Sequence, residues 1–167
     1  MSDLEDIVLR RPALEDGMAV FRLVKSCPPL DINSSYCNLL QCTHFANTSV
    51  VAQVNGEMVG FISGYVIPER PDTLFVWQVA VAGQARGLGL ASHMLAHILD
   101  RPHCADIGYL ETTITQDNPA SWALFKSLAK KLSADFQSSG WMDKKAHFSG
   151  QHDSEALVRI GPFKSHS

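Results

Sequence analysis

The stretch Gln84-Ala85-Arg86-Gly87-Leu88-Gly89 decides the fold. Before it runs Leu74-Phe75-Val76-Trp77-Gln78-Val79-Ala80-Val81, apolar and β-branched, which reads as a strand. After it Leu88, Ala91, Leu95, Ile98 and Leu99 recur at helical spacing and predict a helix from Gly87 to about Asp100. A strand that turns through two glycines into a helix presents main-chain N–H groups at the positive end of the helix dipole. Such a turn is an anion site, and a pyrophosphate is the expected guest. Two glycines are too few for a dinucleotide fingerprint. No Gly-Lys-Ser/Thr follows, which excludes the phosphate loop of nucleotide hydrolases.

Upstream, Ile7–Arg10 reads as a first strand stopped by Pro12. Leu14, Met18, Phe21 and Val24 predict a helix over about 15–26, which Cys27-Pro28-Pro29-Leu30-Asp31 ends. Asn33 or Ser34 caps a second helix running to about Phe45. Ser49–Val54 and Met58–Val66, joined by Asn55-Gly56, form a hairpin. Arg70-Pro71-Asp72 reads as a loop into the strand that ends near Val81.

Downstream, Ile107–Thr113 is another strand. Asn118-Pro119 opens a helix, with asparagine as cap and Ala120, Leu124 and Leu128 as its apolar face. A strand is expected over Ser133–Phe136, loops at Ser138-Ser139-Gly140 and Phe148–Gln151, and a terminal strand at Glu155–Ile160 before Gly161-Pro162. The order is β-αα-βββ-α-β-α-ββ, an α/β (mixed α+β) fold.

At 167 residues one domain over 1–167 is the natural reading. Apolar residues make up 46% and charged residues 19%, enough for a sizeable core. A net charge of −3 argues against a nucleic-acid partner. No apolar run is long enough to span a bilayer. The acidic opening Met1-Ser2-Asp3-Leu4-Glu5-Asp6 lacks the features of a signal peptide, so a cytoplasmic location is expected. Cys27, Cys37, Cys42 and Cys104 form no C-x-x-C pair and read as thiols. Cys37, Cys42 and His44 fall short of a closed zinc set, so no metal is expected. His93, His97, His103, Glu57 and Arg70 read as solvated.

Gln-x-x-Gly-x-Gly, after a strand and opening a helix, resembles the acetyl-coenzyme A signature of the GCN5-related N-acetyltransferases. The element order resembles that family over essentially the whole chain. The resemblance implies a mixed central sheet with helices on both faces and acetyl-coenzyme A as cosubstrate. It implies that Val79 and Val81 pair with the pantetheine amides. Gln84, Ala85, Arg86, Gly87, Leu88, Gly89, Leu90 and Ala91 then wrap the pyrophosphate, Arg86 either adding charge or facing solvent. Asn118, Ser121, Phe125 and Lys126 line the distal part of coenzyme A, although Asn118 is equally explained as a cap. Many members carry a tyrosine where Phe125 stands. The leaving thiolate is then protonated by water or another group, and Tyr36, Ser121 and Cys37 remain unranked.

Pro28-Pro29-Leu30-Asp31-Ile32-Asn33-Ser34-Ser35-Tyr36-Cys37-Asn38-Leu39-Leu40, Val76–Val81 and His152-Asp153-Ser154-Glu155 together resemble the diaminobutyrate acetyltransferases of ectoine biosynthesis. That resemblance implies acetylation of the γ-amine of a small diamino acid by direct attack, in a homodimer. Two ammonium groups and a carboxylate call for carboxylates and a donor in the site. Asp31, Trp77 and Glu155 are the expected acceptor-binding residues, with Glu155 or a bound water taking the proton. Tyr36, Asn38 and His152 are second choices. An acceptor at a protein N-terminus, another polyamine, or binding of acetyl-coenzyme A without turnover are the competing readings.

Overall fold

The computed structural model of this chain describes residues 6–164. The acidic opening Met1–Glu5, read above against a signal peptide, lies outside the described residues. Seven strands and four α-helices follow the expected order: β1 (Val8–Arg10), α1 (Gly17–Lys25), α2 (Ser35–Gln41), β2 (Val50–Val54), β3 (Glu57–Ile67), β4 (Arg70–Val81), α3 (Leu90–Leu99), β5 (Tyr109–Thr115), α4 (Pro119–Lys131), β6 (Phe136–Met142) and β7 (Glu155–Ile160). The strands make one mixed sheet in the order β1-β2-β3-β4-β5-β7-β6. The chain divides into two units, one of the described residues up to Tyr65 with Val76–Cys104, the other of Val66–Phe75 with residues from Ala105 onward.

In the first unit β1, β2 and β3 pair antiparallel. Asn55 and Gly56 turn the hairpin with φ of 51° and 81°, the left-handed pair that matches strand twist. A bidentate pair from Arg10 to Asp16, at 2.7 and 2.8 Å, ties β1 to the turn before α1. The inward face of α1 is Val20, Leu23 and Val24, whereas Leu14 and Met18 are exposed. Val24 keeps its expected buried place, whereas Leu14 lies outside α1 in a separate 3-10 turn. Helix α2 ends at Gln41, four residues short of the expected Phe45, since Ala46–Thr48 form another 3-10 turn. Arg101 donates to the carbonyls of Ala46 and Asn47, at 3.3 and 2.8 Å, and holds that turn. His103 bonds the same Asn47 carbonyl at 2.6 Å and is not simply solvated. Helix α3 starts three residues later than predicted and buries Leu90, Met94, Leu95, Ile98 and Leu99. Each such fully buried side chain contributes about 1.5–3 kcal/mol. Gly60 on β3 leaves room for the Met94 thioether, 2.9 Å from where a Cβ would stand.

In the second unit β7 lies between β5 and β6, antiparallel to both. Ser138-Ser139-Gly140 is strand rather than loop, because β6 is held by its register with β7 despite its turn-like composition. Of the expected face of α4, Leu128 is buried, Leu124 is half-buried and Ala120 is exposed, and the helix also buries Phe125 and Ala129. Arg70-Pro71-Asp72 opens β4 and is not a loop. Arg70 is exposed as expected, but it opens a strand rather than standing in a turn, and its side chain is paired. It grips Glu111, as does Arg159, whose guanidinium also sits 3.9 Å from the Tyr109 ring centroid. Burial pushes the Glu111 carboxyl up, but hydrogen bonds and charge from Arg70 and Arg159 outweigh it and hold it below its ordinary 4.5. The stability this carboxylate contributes is therefore complete above pH 4.5 and lost as pH falls further.

Glu111→Ala strands two arginines beside a buried site and is expected to cost about 3 kcal/mol in urea denaturation at neutral pH. Glu111→Gln should lose stability less steeply than the natural chain as the medium is acidified below pH 4.5. Equal slopes would show that this carboxyl titrates alike in folded and unfolded chains.

Candidate functional site

The turn after β4 is built almost entirely from main chain. Ala82 N–H donates to Val59 O at 2.8 Å and pins the end of the strand. Gly83–Ala85 then make a 3-10 turn. Within it the Ala85 and Arg86 amides donate to the Ala82 and Gly83 carbonyls, at 2.9 and 3.3 Å. Those two N–H groups are therefore engaged, which corrects the expectation that all amides from Gln84 onward face an anion. Gly87 and Gly89 follow with φ of 80° and 72°, and Gly89 is the N-cap of α3. A Cβ on either would meet nothing within 4 Å, so the space over this stretch of main chain is open. The first helical bond runs from His93 N–H to Gly89 O at 3.1 Å. The amides of Leu90, Ala91 and Ser92 thus precede the ladder and lie at the positive end of the helix. Gly87 to Ser92 make a main-chain cradle whose chemistry suits an anion.

Val81 closes the strand differently from expectation. Its carbonyl already accepts from Arg86 Nε at 3.1 Å and from Cys27 Sγ at 3.4 Å. The Arg86 side chain is thereby folded back onto the strand end while remaining exposed.

On β4, even-numbered residues 74 to 80 are buried, while Phe75, Trp77, Val79 and Val81 are half-buried or exposed. The Trp77 indole is 38% exposed, enough to meet a ligand. Phe45 and Tyr65 hold it edge-on, with centroids at 5.9 and 6.1 Å and planes at 79° and 90°. Sequence reasoning missed both supporting rings. Tyr65 carries a signal in being a half-buried aromatic on β3, but Phe45 is brought in only by the early end of α2. Asp31 is exposed, and its main-chain carbonyl accepts from Gln78 Nε2 at 3.5 Å. Tyr36 is 69% exposed on α2. Burial pushes the Cys37 thiol up from its ordinary value. The Cys42 thiol is pushed up to about 12, chiefly by burial and then by Asp16. Asn38 is 1% exposed and donates to Gln41 Oε1 at 2.9 Å. A side chain so enclosed has no surface for substrate, and its expected contact role is corrected to an internal one.

The second unit holds Glu155 at the start of β7, where Thr113 Oγ1 donates to Glu155 Oε1 at 3.1 Å. Glu155 lines a cleft of about 700 Å³ with Asp117, Trp122, Trp141, Met142 and Asp153. Carboxylates beside indole faces suit a cation with an aliphatic body. His152 precedes this strand, its ring 4.6 Å from that of Phe148 and its Nδ1 2.6 Å from the Asp153 carbonyl. Asn118 Oδ1 accepts from Ser121 N–H at 3.2 Å, so the cap reading of Asn118 holds. Lys126 is exposed, with its ammonium 5.9 Å from the Phe136 ring centroid. Phe125 is 2% exposed, a core residue of α4, and offers no surface for a cofactor. The structure thus joins Asp31 and Asn38 through one amide network, seats Trp77 between two rings, and places Glu155 with Thr113. Among the described residues no group of three or more His, Cys, Asp or Glu is placed to hold a metal. No helix among them is long and apolar enough to cross a membrane.

Residues 18–129 match the model of the Acetyltransferase (GNAT) family. The chain is 58% identical to L-2,4-diaminobutyric acid acetyltransferase from Methylotuvimicrobium alcaliphilum over 95% of its own length and 92% of that protein's. It is 48% identical to the enzyme of that name from Halomonas elongata, over 95% and 83% of the two lengths. Its fold superposes with a TM-score of 0.90 on diaminobutyrate acetyltransferase from Paenibacillus lautus, solved with its substrate L-2,4-diaminobutyric acid and coenzyme A. That pair is 38% identical and covers 94% of this chain and 95% of the other.

Gly89→Ala places a Cβ at φ 72° and is expected to cost about 1–2 kcal/mol of stability. Calorimetric titration with coenzyme A should show at least a tenfold loss of affinity, since the cradle is made of this main chain. Unaltered affinity would place the diphosphate elsewhere.

Proposed function

The chain belongs to the acetyltransferase (GNAT) family, and on that footing we propose that it transfers an acetyl group from acetyl-coenzyme A to the γ-amine of L-2,4-diaminobutyrate, by direct attack within a ternary complex. The product, the N4-acetyl amino acid, is the compound cyclised to ectoine. The observation that carries this reading is likeness to diaminobutyrate acetyltransferases over 95% of the chain, together with the open main-chain cradle at Gly87–Ser92. The matched stretch 18–129 draws on both units, which supports a single catalytic domain. A homodimer acting in the cytoplasm is part of the same proposal.

Bound at the cradle, the cofactor supplies its acetyl group as an activated thioester. The amides from Gly87 to Ser92 and the positive end of α3 hold its diphosphate. The carboxylate of Asp31, like that of Glu155, suits an ammonium group of the amino acid, and the Trp77 face suits a cation or the methylene chain. An alkyl ammonium has a pKa near 10.4, so only about one in 10³ is neutral at pH 7. The chain must therefore remove a proton before attack, and Glu155 or a water beside it receives that proton. The Thr113 hydroxyl fixes one oxygen of that carboxylate at 3.1 Å. No covalent enzyme intermediate is required, which agrees with the buried, poorly ionised Cys42.

Free thiol released from acetyl-coenzyme A should depend on added diaminobutyrate and not on peptides with free N-termini. Acetylated peptides with an inert diamino acid would overturn the assignment. Asp31→Ala and Glu155→Gln should each raise the acceptor KM about 10–100-fold, the range for losing a charged hydrogen bond, and Trp77→Ala should raise it through loss of a ring contact, all three sparing cofactor affinity. Acceptor kcat/KM should climb about tenfold per pH unit below the amine pKa, because the reactive neutral amine grows at that rate.

A further inference from the structure

On the face of β4 turned away from Trp77 lies a chain of buried amides that no step of acyl transfer uses. Gln41 and Ser63 are fully buried, Asn38 is 1% exposed and Gln78 6%. Gln41 Nε2 donates to Gln78 Oε1 at 3.0 Å and to Ser63 Oγ at 3.1 Å. Asn38 Nδ2 donates to Gln41 Oε1 at 2.9 Å, and the Gln78 N–H donates to Ser63 Oγ at 3.2 Å. The last link, from Gln78 Nε2, reaches the Asp31 carbonyl at 3.5 Å.

Such a chain is a poor device for stability alone. Apolar side chains of the same volume fill a core without needing partners, and this network leaves Asn38 Oδ1 buried with none. What it does supply is direction. It gathers α2, β3 and β4 onto one point outside them, the peptide of Asp31. That residue follows Pro28-Pro29 in the link between α1 and α2, and its side chain is exposed. Gln78 is also the neighbour of Trp77 on β4, so one buried amide holds both the peptide of Asp31 and the strand that carries the indole.

We propose that Gln41 and Gln78 are positioning residues for the amino-acid acceptor, fixing the Asp31 peptide and so the place of its carboxylate. This rests on the reading of Asp31 as an acceptor-binding residue. Neither amide touches substrate, and their effect passes through Asp31.

The test is acceptor kinetics of the purified full chain carrying Gln41→Leu, which keeps volume and removes the amide. The KM for diaminobutyrate should rise about tenfold, while kcat and the KM for acetyl-coenzyme A stay within twofold. In an Asp31→Ala background the same change should add nothing. An unchanged acceptor KM in Gln41→Leu, beside a raised one in Asp31→Ala, overturns the positioning role and leaves the acceptor site standing. An equal further rise in the Asp31→Ala background also overturns it. An unchanged KM in Asp31→Ala alone overturns the acceptor reading, and this inference with it. Should Gln41→Leu not fold, Ser63→Ala keeps the Gln41–Gln78 bond but removes their shared acceptor. It should raise the same KM about threefold in an Asp31-dependent way, and no change there overturns the inference.

Discussion

Two left-handed residues within three positions, Gly87 and Gly89, govern how this chain passes from strand to helix. Any other L residue at φ near 80° or 72° is strained by its own Cβ. With glycine the main chain turns sharply enough that α3 begins almost at once, and its first amides emerge beside the strand end. The pins on either side make the turn a fixed object: Ala82 to Val59, and Arg86 back to Val81. The core contacts of Leu90, Met94 and Leu95 then set the direction in which the helix end points. In the proposed cofactor grip main chain supplies the donors, while the exposed Arg86 side chain folds back onto the Val81 carbonyl.

Polar groups are buried in two contrasting ways. Glu111 is enclosed, and two partly exposed arginines reach in to cover its oxygens with charged donors. It is a closed arrangement whose loss in acid follows from the depressed carboxyl. The Gln41–Ser63–Gln78 chain carries no charge and leaves one amide oxygen without a partner. Burying four neutral polar side chains has to be offset by every bond they make, so their geometry is tightly specified. The first arrangement holds strands together, while the second aims a loop.

Local chemistry made much of this readable in advance. Asn55-Gly56 between alternating runs, Asn118-Pro119 before a helical stripe, and the glycine pair after Val81 each rest on a backbone preference of the residue itself. What went unread depends on contacts far along the chain. Arg70-Pro71-Asp72 has the composition of a loop, and strand geometry there is enforced in company with Glu111, 41 residues on. Ser138-Ser139-Gly140 is held as strand by β7 rather than by propensity. The same cause misplaced side chains within the site. Asn38 and Phe125 lie at helix positions whose inward or outward aspect is set by packing, and both turn in. Phe45 reaches Trp77 only because α2 stops early.

The two halves of the proposed chemistry therefore leave different traces in a sequence. The diphosphate grip is main chain, and only its glycines show. The residues proposed for the acceptor are side chains from separate parts of the sequence, and each is ambiguous alone. Trp77 on an apolar strand reads as core until Phe45 and Tyr65 are seen to seat it with 38% of its surface exposed. Ser34, one of the two residues expected to cap α2, does so by accepting from the Cys37 N–H at 3.1 Å. At Asp31, an exposed carboxylate on a peptide anchored by a buried amide is the arrangement that the proposed grip on a cationic ligand calls for.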